Sequence, residues 1–152
     1  MQDHQFAILL PLAVGAGAVE CTIFIHALAF ATTVNLFRHE KRRGRLGADD
    51  SKNLTIIALV ISVAFLAHLA EIGLWAVLLV LCGEFREFGI AYYHSAVNYT
   101  TLGYGDMLMT PAWRLLGPLE ATNGVLMFGV SAAMVFAAVQ RLVLARFADL
   151  RN

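Results

Sequence analysis

The stretch FGIAYYHSAVNYTTLGYGD, residues 88–106, decides how the rest of the chain is read. From Phe88 to Tyr99 it is a semi-apolar run of about three helical turns, well short of the ~20 residues a helix needs to cross a bilayer. The residues after it include Gly103 and Gly105, which can adopt positive φ values that other residues avoid. Charged Glu84, Arg86 and Glu87 come before the run, and long apolar segments flank it on both sides. This arrangement predicts a re-entrant helix that enters the membrane, stops, and hands the chain to a returning loop. Such broken backbone survives at membrane depth only where protein or a water-filled cavity shields it.

Around this stretch, three long apolar segments cover about 6–37, 54–82 and 115–143. Each is long enough to span a hydrocarbon core of ~30 Å with tilt or a protruding turn. Amides in lipid must be satisfied within their own segment, so helices rather than strands are expected, and no ~10-residue alternation suggests a barrel. The chain is 59% hydrophobic and 14% charged, against roughly 25% charged in a soluble domain. Of its eleven Lys and Arg residues, nine fall in the 38–53 connector or the C-terminal end: Arg38, Lys41, Arg42, Arg43, Arg45, Lys52, Arg141, Arg146 and Arg151. In a three-span topology these lie on one side, which the positive-inside rule makes cytoplasmic. The expected topology is N-terminus outside, 38–53 inside, 83–114 outside and C-terminus inside, in a multi-pass protein of the plasma (inner) membrane.

Net charge is zero at pH 7, so nothing points to nucleic acid as a partner. The basic connector could bind anionic lipid, but topology alone accounts for it. Two cysteines, Cys21 and Cys82, give no disulfide framework. The start, Met-Gln-Asp-His-Gln, lacks the basic region of a signal peptide, so the first apolar segment is expected in the mature protein.

Residues Thr100, Thr101, Leu102, Gly103, Tyr104, Gly105 and Asp106 resemble the signature of potassium channels with a two-helix pore domain. The resemblance extends over 54–143 and leaves the first spanning segment as an addition. It implies an all-α membrane protein: three transmembrane helices plus a re-entrant pore helix and selectivity-filter loop, assembled as a homotetramer. The divisions expected are an N-terminal transmembrane helix 1–37, a basic cytoplasmic loop 38–53 and a pore domain 54–145. Within the pore domain come an outer helix 54–82, pore helix 88–99, filter 100–106 and inner helix 115–143, with a tail 146–152 after it. Carbonyls of Thr101, Leu102, Gly103 and Tyr104, with the Thr101 hydroxyl, would replace the hydration shell of K+, as ion-selective carbonyl rings do. Gly105 completes the filter, and no cofactor beyond K+ in the filter is expected.

The same match carries further implications. Trp113, Arg114 and Leu115 precede the inner helix, as in simple bacterial potassium channels. Gly124 falls at the family's hinge position, where packing and hinging are equal readings. The alignment turns Val125, Phe128, Ala132 and Phe136 toward a cavity, making Phe128 and Phe136 gate candidates. The pore helix would direct about half a negative charge at the cavity from its C-terminus. Asp106 would either ring the outer mouth with carboxylates or bond Tyr93 of the pore helix. Val97 stands where some members carry a buried glutamate.

Ionisable Glu20, His26, His68, Glu71 and Glu120 all lie within spans, where a charge is expensive and marks function by default. Glu20, His68, Glu71 and Glu120 are read as an intramembrane polar cluster. His68 and Glu71 share a helix face, and antiparallel counting sets Glu20 at their depth. The preferred role is gluing the extra helix to the pore module, with pH sensing or metal binding as rivals; that helix is expected to pack against the outside of the 54–82 helix without pore contacts. Glu120 is expected to bond pore-helix or filter backbone. The functions weighed are a potassium-selective channel, a weakly selective monovalent cation channel, a membrane metalloenzyme using His26, His68, Glu71 and Glu20, and a non-conducting scaffold. No HExxH or comparable motif supports an enzyme.

Overall fold

The structure is a computed structural model and describes residues 2–43 and 50–149. It has four helices: α1 (Gln2–Arg42), α2 (Asp50–Leu81), α3 (Phe88–Tyr99) and α4 (Leu116–Asp149). Within α1, α2 and α4, Ile8–Arg42, Ser51–Leu81 and Leu116–Phe147 are apolar enough to span, with mean hydropathies of 2.1, 2.2 and 1.8. The protein is an all-α membrane protein, without a strand among the described residues.

The helices outrun the apolar runs. α1 continues past Phe37 to Arg42 and α4 past Val143 to Asp149. Apolar runs report where lipid begins, whereas helix length also depends on the residues beyond that boundary. Lys and Arg are good helix formers, and cations in the last turn favour the negative end of the helix dipole. Lys41 and Arg42 close α1 in that way, and Arg146 lies in the last turn of α4. Arg45 in the connector and Arg151 in the tail lie outside the described residues.

α2 stops at a glycine cap. Gly83 has φ +77, with its N–H bonded to the Val80 carbonyl at 3.0 Å and the Glu84 N–H to the Leu79 carbonyl at 3.0 Å. This double bond with a left-handed residue is the Schellman pattern, which satisfies the last carbonyls and turns the chain sharply. Pro118 sits in the first turn of α4, where its missing N–H has no intrahelical partner to lose.

Two compact units form. The first takes in the described residues of Met1–Ile25 and His68–Phe128. Its core is Ala18 of α1, Ile72, Trp75 and Leu79 of α2, Tyr99 of α3, and Leu116 and Met127 of α4. The second takes in those of His26–Ala67 and Gly129–Asn152. Phe37 of α1, Ile56, Val60 and Ala64 of α2, and Met134, Ala138 and Leu142 of α4 form its core.

The expectation that Glu20 glues α1 in place is corrected. In the first unit α1 also packs on α4: a Cβ at Gly15 would sit 2.6 Å from Leu119 Cδ1 and 3.2 Å from Leu116 Cδ2. Thr22 Oγ1 lies 3.0 Å from Asn123 Oδ1. In the second unit, His26 Nε2 is 3.0 Å from Ser131 Oγ. Glu20 is exposed. Matching residues by depth ignores rotation about the helix axis, which turns Thr22 and His26 inward and Glu20 outward.

Candidate functional site

The loop after α3 departs from ordinary backbone in a regular way. Thr101, Gly103 and Gly105 have φ values of +59, +60 and +71, while Leu102 and Tyr104 between them do not have positive φ. Alternating the sign of φ turns successive carbonyls toward a common side, and glycine tolerates the left-handed value at little steric cost. Thr101 does not: a β-branched residue there is an outlier costing about 1–3 kcal/mol. The two glycines are legible in the sequence and Thr101 is not. The loop is exposed from Thr101 to Asp106, so one chain supplies one side of whatever it lines.

The end of α3 pins the loop from behind. The Leu102 and Gly103 amides donate to the Val97 carbonyl at 3.0 and 3.3 Å. Val97, whose side chain offers no hydrogen bond, thus serves through its main chain. Thr101 Oγ1 donates to the Thr100 carbonyl at 2.6 Å, and Thr100 Oγ1 to that of Ala96 at 2.6 Å.

Tyr99, the last residue of α3, is fully buried and held from two helices. Its hydroxyl donates to Glu71 of α2. His68 Nδ1 lies 3.2 Å from the same hydroxyl and 3.3 Å from Glu71 Oε2. Phe128 of α4 stacks on both rings, with centroids 4.5 Å from His68 and 5.6 Å from Tyr99. Behind Tyr99, a Cβ on Gly124 would overlap the Tyr99 carbonyl. Gly124 is therefore a point of close helix approach. His68 and Glu71 of α2 hold the C-terminal end of α3 through the Tyr99 hydroxyl. Phe128, a gate candidate, is engaged in this aromatic packing.

At the outer end, Tyr93 Oη donates to Asp106 Oδ2 at 2.7 Å. That bond, then burial and the Asp106 charge, raise the Tyr93 pKa above its ordinary value. Glu84, delivered by the Gly83 cap, accepts from the Thr110 amide at 2.7 Å and from the Thr110 hydroxyl. This ties the end of α2 to the stretch of chain leaving the loop. His94 Nε2 accepts from Asn98 Nδ2 at 2.9 Å. Burial lowers the His94 pKa, with Asp106 and Glu84 opposing. Sequence reasoning misses Tyr99 and Glu84. The signal for Glu84 is the glycine before it; Tyr99 looks like one more aromatic residue closing an apolar run.

The remaining candidate residues divide by burial. Val125 and Phe136 are exposed, at 59% and 68%, and Ala132 with them. Glu120 is fully buried. Its carboxylate faces Ser95 and Asn98 of α3 without a hydrogen bond of standard geometry to either, so the expected bond to α3 backbone is not made. A cleft of about 610 Å³ opens beside the loop, lined by Asn98, Thr101, Asp106, Met107, Arg114 and Pro118 among others.

A family model described as an ion channel matches residues 54–141, from the first turns of α2 through α3 and the loop into α4. No curated protein and no solved structure matches the chain at a significant level.

Proposed function

The chain belongs to the ion-channel family, and from that premise we propose that it is one subunit of a homotetrameric, potassium-selective channel. The observation that carries the reading is the alternating φ at Thr101, Gly103 and Gly105. A backbone of that kind presents a column of carbonyls, and four columns around an axis replace the hydration shell of a dehydrated cation. The exposed loop and the cleft beside it fit this assembly, since a neighbouring copy would complete the ring and fill the cleft. The carbonyls of Thr101, Leu102, Gly103 and Tyr104 are the K+ ligands in this reading, and the ion needs no cofactor. The activity is passive conduction, without catalysis.

The chain is a multi-pass membrane protein, and the basic ends of α1 and α4 favour a cytoplasmic placement for those ends in the plasma membrane. Asp106 carboxylates, held by Tyr93, would concentrate cations at the outer mouth. Phe136, exposed on α4, is the better gate candidate, because Phe128 is committed to His68 and Tyr99. A weakly selective cation channel remains the second reading, and Thr101 favours it: a strained residue at the inner end of the column is where ligand geometry would relax first.

The test uses purified protein in vesicles. KCl-loaded vesicles should accumulate tracer rubidium against NaCl-loaded controls, and native mass spectrometry should show four 16.6 kDa chains. Gly103→Asp should abolish uptake while four chains remain. Equal uptake by both vesicle types would sink the selective reading, and a different subunit count would sink the tetramer.

A further inference from the structure

The second unit carries a groove between α1 and α4 that ion conduction does not use. Phe30, Thr33, Val34 and Phe37 of α1 line one wall, and Met134, Ala137, Ala138 and Arg141 of α4 the other. Most of the lining is apolar. Thr33 is the exception within it: 4% exposed, with an Oγ1 that has no hydrogen-bond partner. An unpartnered buried hydroxyl costs about 1–3 kcal/mol, and in lipid no water is at hand to relieve it.

Arg141 stands at one end of the groove. Phe37 packs in the same cluster as Ala138 and Leu142, so Arg141 lies at the level of Phe37. Thr33 is then about one helical turn, ~6 Å, further into the membrane. Arg38, Lys41 and Arg42 of α1, Arg43 just after it, and Arg146 of α4 are exposed at the same end, with Glu40 as the acidic side chain described among them. The order along the groove is thus cation, hydroxyl donor, apolar wall.

We propose that this groove binds one anionic phospholipid, with its phosphate on Arg141, an ester carbonyl accepting from Thr33 Oγ1, and an acyl chain against Phe30 and Met134. The glycerol unit sets the ester carbonyl below the phosphate by a distance comparable to the turn between Phe37 and Thr33. A guanidinium matches phosphate oxygens in pairs, and basic pockets between spanning helices suit anionic head groups. A free phosphate would leave Thr33 unsatisfied, and a neutral lipid would bring Arg141 no net negative charge. α1 would in this way recruit a lipid to the pore-lining helix, through a segment that the ion-channel match does not include.

Native mass spectrometry of the full chain, released from detergent with phosphatidylglycerol or phosphatidylcholine, tests this directly. Wild type should retain phosphatidylglycerol in preference. Arg141→Gln should lower that retention about tenfold or more, the effect of losing hydrogen bonds from a charged group. Thr33→Val should lower it about threefold, as for one hydrogen bond, and should raise the melting temperature of the lipid-free protein by removing the unpartnered hydroxyl. Arg43→Gln, outside the groove, should lower retention by no more than about fivefold, the diffuse effect of one cation at a membrane surface. Equal retention of the two lipids would overturn the proposal. So would an Arg43→Gln loss as large as that of Arg141→Gln, which would mean diffuse attraction without a site. Unchanged retention in Thr33→Val would overturn the placement of the ester carbonyl. A change in subunit count in Arg141→Gln, with lipid per subunit unchanged, would assign the groove to another copy of the chain.

Discussion

Two ways of holding helices together are present in this molecule. In the unit that contains α3 and the 100–106 loop, bonds are specific: Tyr99 to Glu71, Tyr93 to Asp106, Glu84 to Thr110, and the Val97 carbonyl to two loop amides. In the other unit the core is aliphatic and aromatic, Phe37, Ile56, Val60, Met134 and Leu142 among them, with His26 and Ser131 bonding α1 to α4. The difference comes from the backbone each must support. A regular helix satisfies its own amides, so its neighbours need only fit against it. A loop with alternating φ satisfies few of its own, and its shape must be imposed by partners around it. Around the loop, directional bonds impose a shape that the backbone does not hold by itself.

Glycine substitutions should separate the two units most sharply. Gly124→Ala pushes a Cβ into the Tyr99 carbonyl, main chain that cannot rotate away. It should cost about 3 kcal/mol or more, at the upper end for overpacking, and be seen as loss of the monodisperse peak in size-exclusion chromatography. Gly129→Ala, one turn on, meets nothing within 4 Å and should be neutral or stabilising by up to ~1 kcal/mol through helix propensity. Similar outcomes for the pair would break the comparison.

The next contrast is between a bond and a packed methyl. Tyr99→Phe leaves Glu71 buried without its hydroxyl donor and should lower stability by about 1.5–3 kcal/mol, with Glu71→Gln strongly non-additive in a double-mutant cycle. Ile56→Val in the aliphatic core should cost about 1 kcal/mol. Thermal unfolding in detergent reads both. If Tyr99→Phe cost no more than Ile56→Val, the anchor role of Tyr99 would be lost.

The smallest effects are pH effects at the outer end of α3. Burial lowers the His94 pKa, so its contribution to stability is full above the ordinary value of 6.5 and is lost as pH falls through the lower folded value. Acidification from about pH 7.5 to about 5.5, a window that brackets the ordinary histidine range, should therefore lower the melting temperature slightly, and His94→Gln should blunt the drop. Tyr93 shifts the other way. Its raised pKa keeps the Asp106 bond in place below the ordinary value of 10, and the bond is lost as pH rises through the folded value. Tyr93→Phe should abolish that alkaline loss. A melting temperature that is flat in pH over both ranges would show these bonds to be incidental.

What can be read in the sequence is whatever announces itself locally. Apolar length gives the three spans, and the shortness of Phe88–Tyr99 gives the re-entrant helix. Gly103 and Gly105 announce unusual backbone because glycine is permissive there. Thr101 adopts the same φ sign with no such signal, because neighbours impose it. Facing is the hardest to read. Helices apolar all round have no polar face to mark the side that packs, so depth alone pairs Glu20 with His68 and Glu71, while Thr22 and His26 make the contacts. Tyr99 illustrates the same limit: its partners lie on α2 and α4, and nothing local to it distinguishes an anchor from a lipid-facing aromatic.

Everything proposed for conduction rests on the loop from Thr101 to Gly105 selecting potassium, and the reversal potential in a planar bilayer is its sharpest test. With potassium and sodium on opposite sides, a selective carbonyl column gives reversal near the potassium equilibrium potential, with the current abolished in Gly103→Asp. Robust current reversing near zero would contradict it, and would leave a pore whose carbonyls do not discriminate between the two ions.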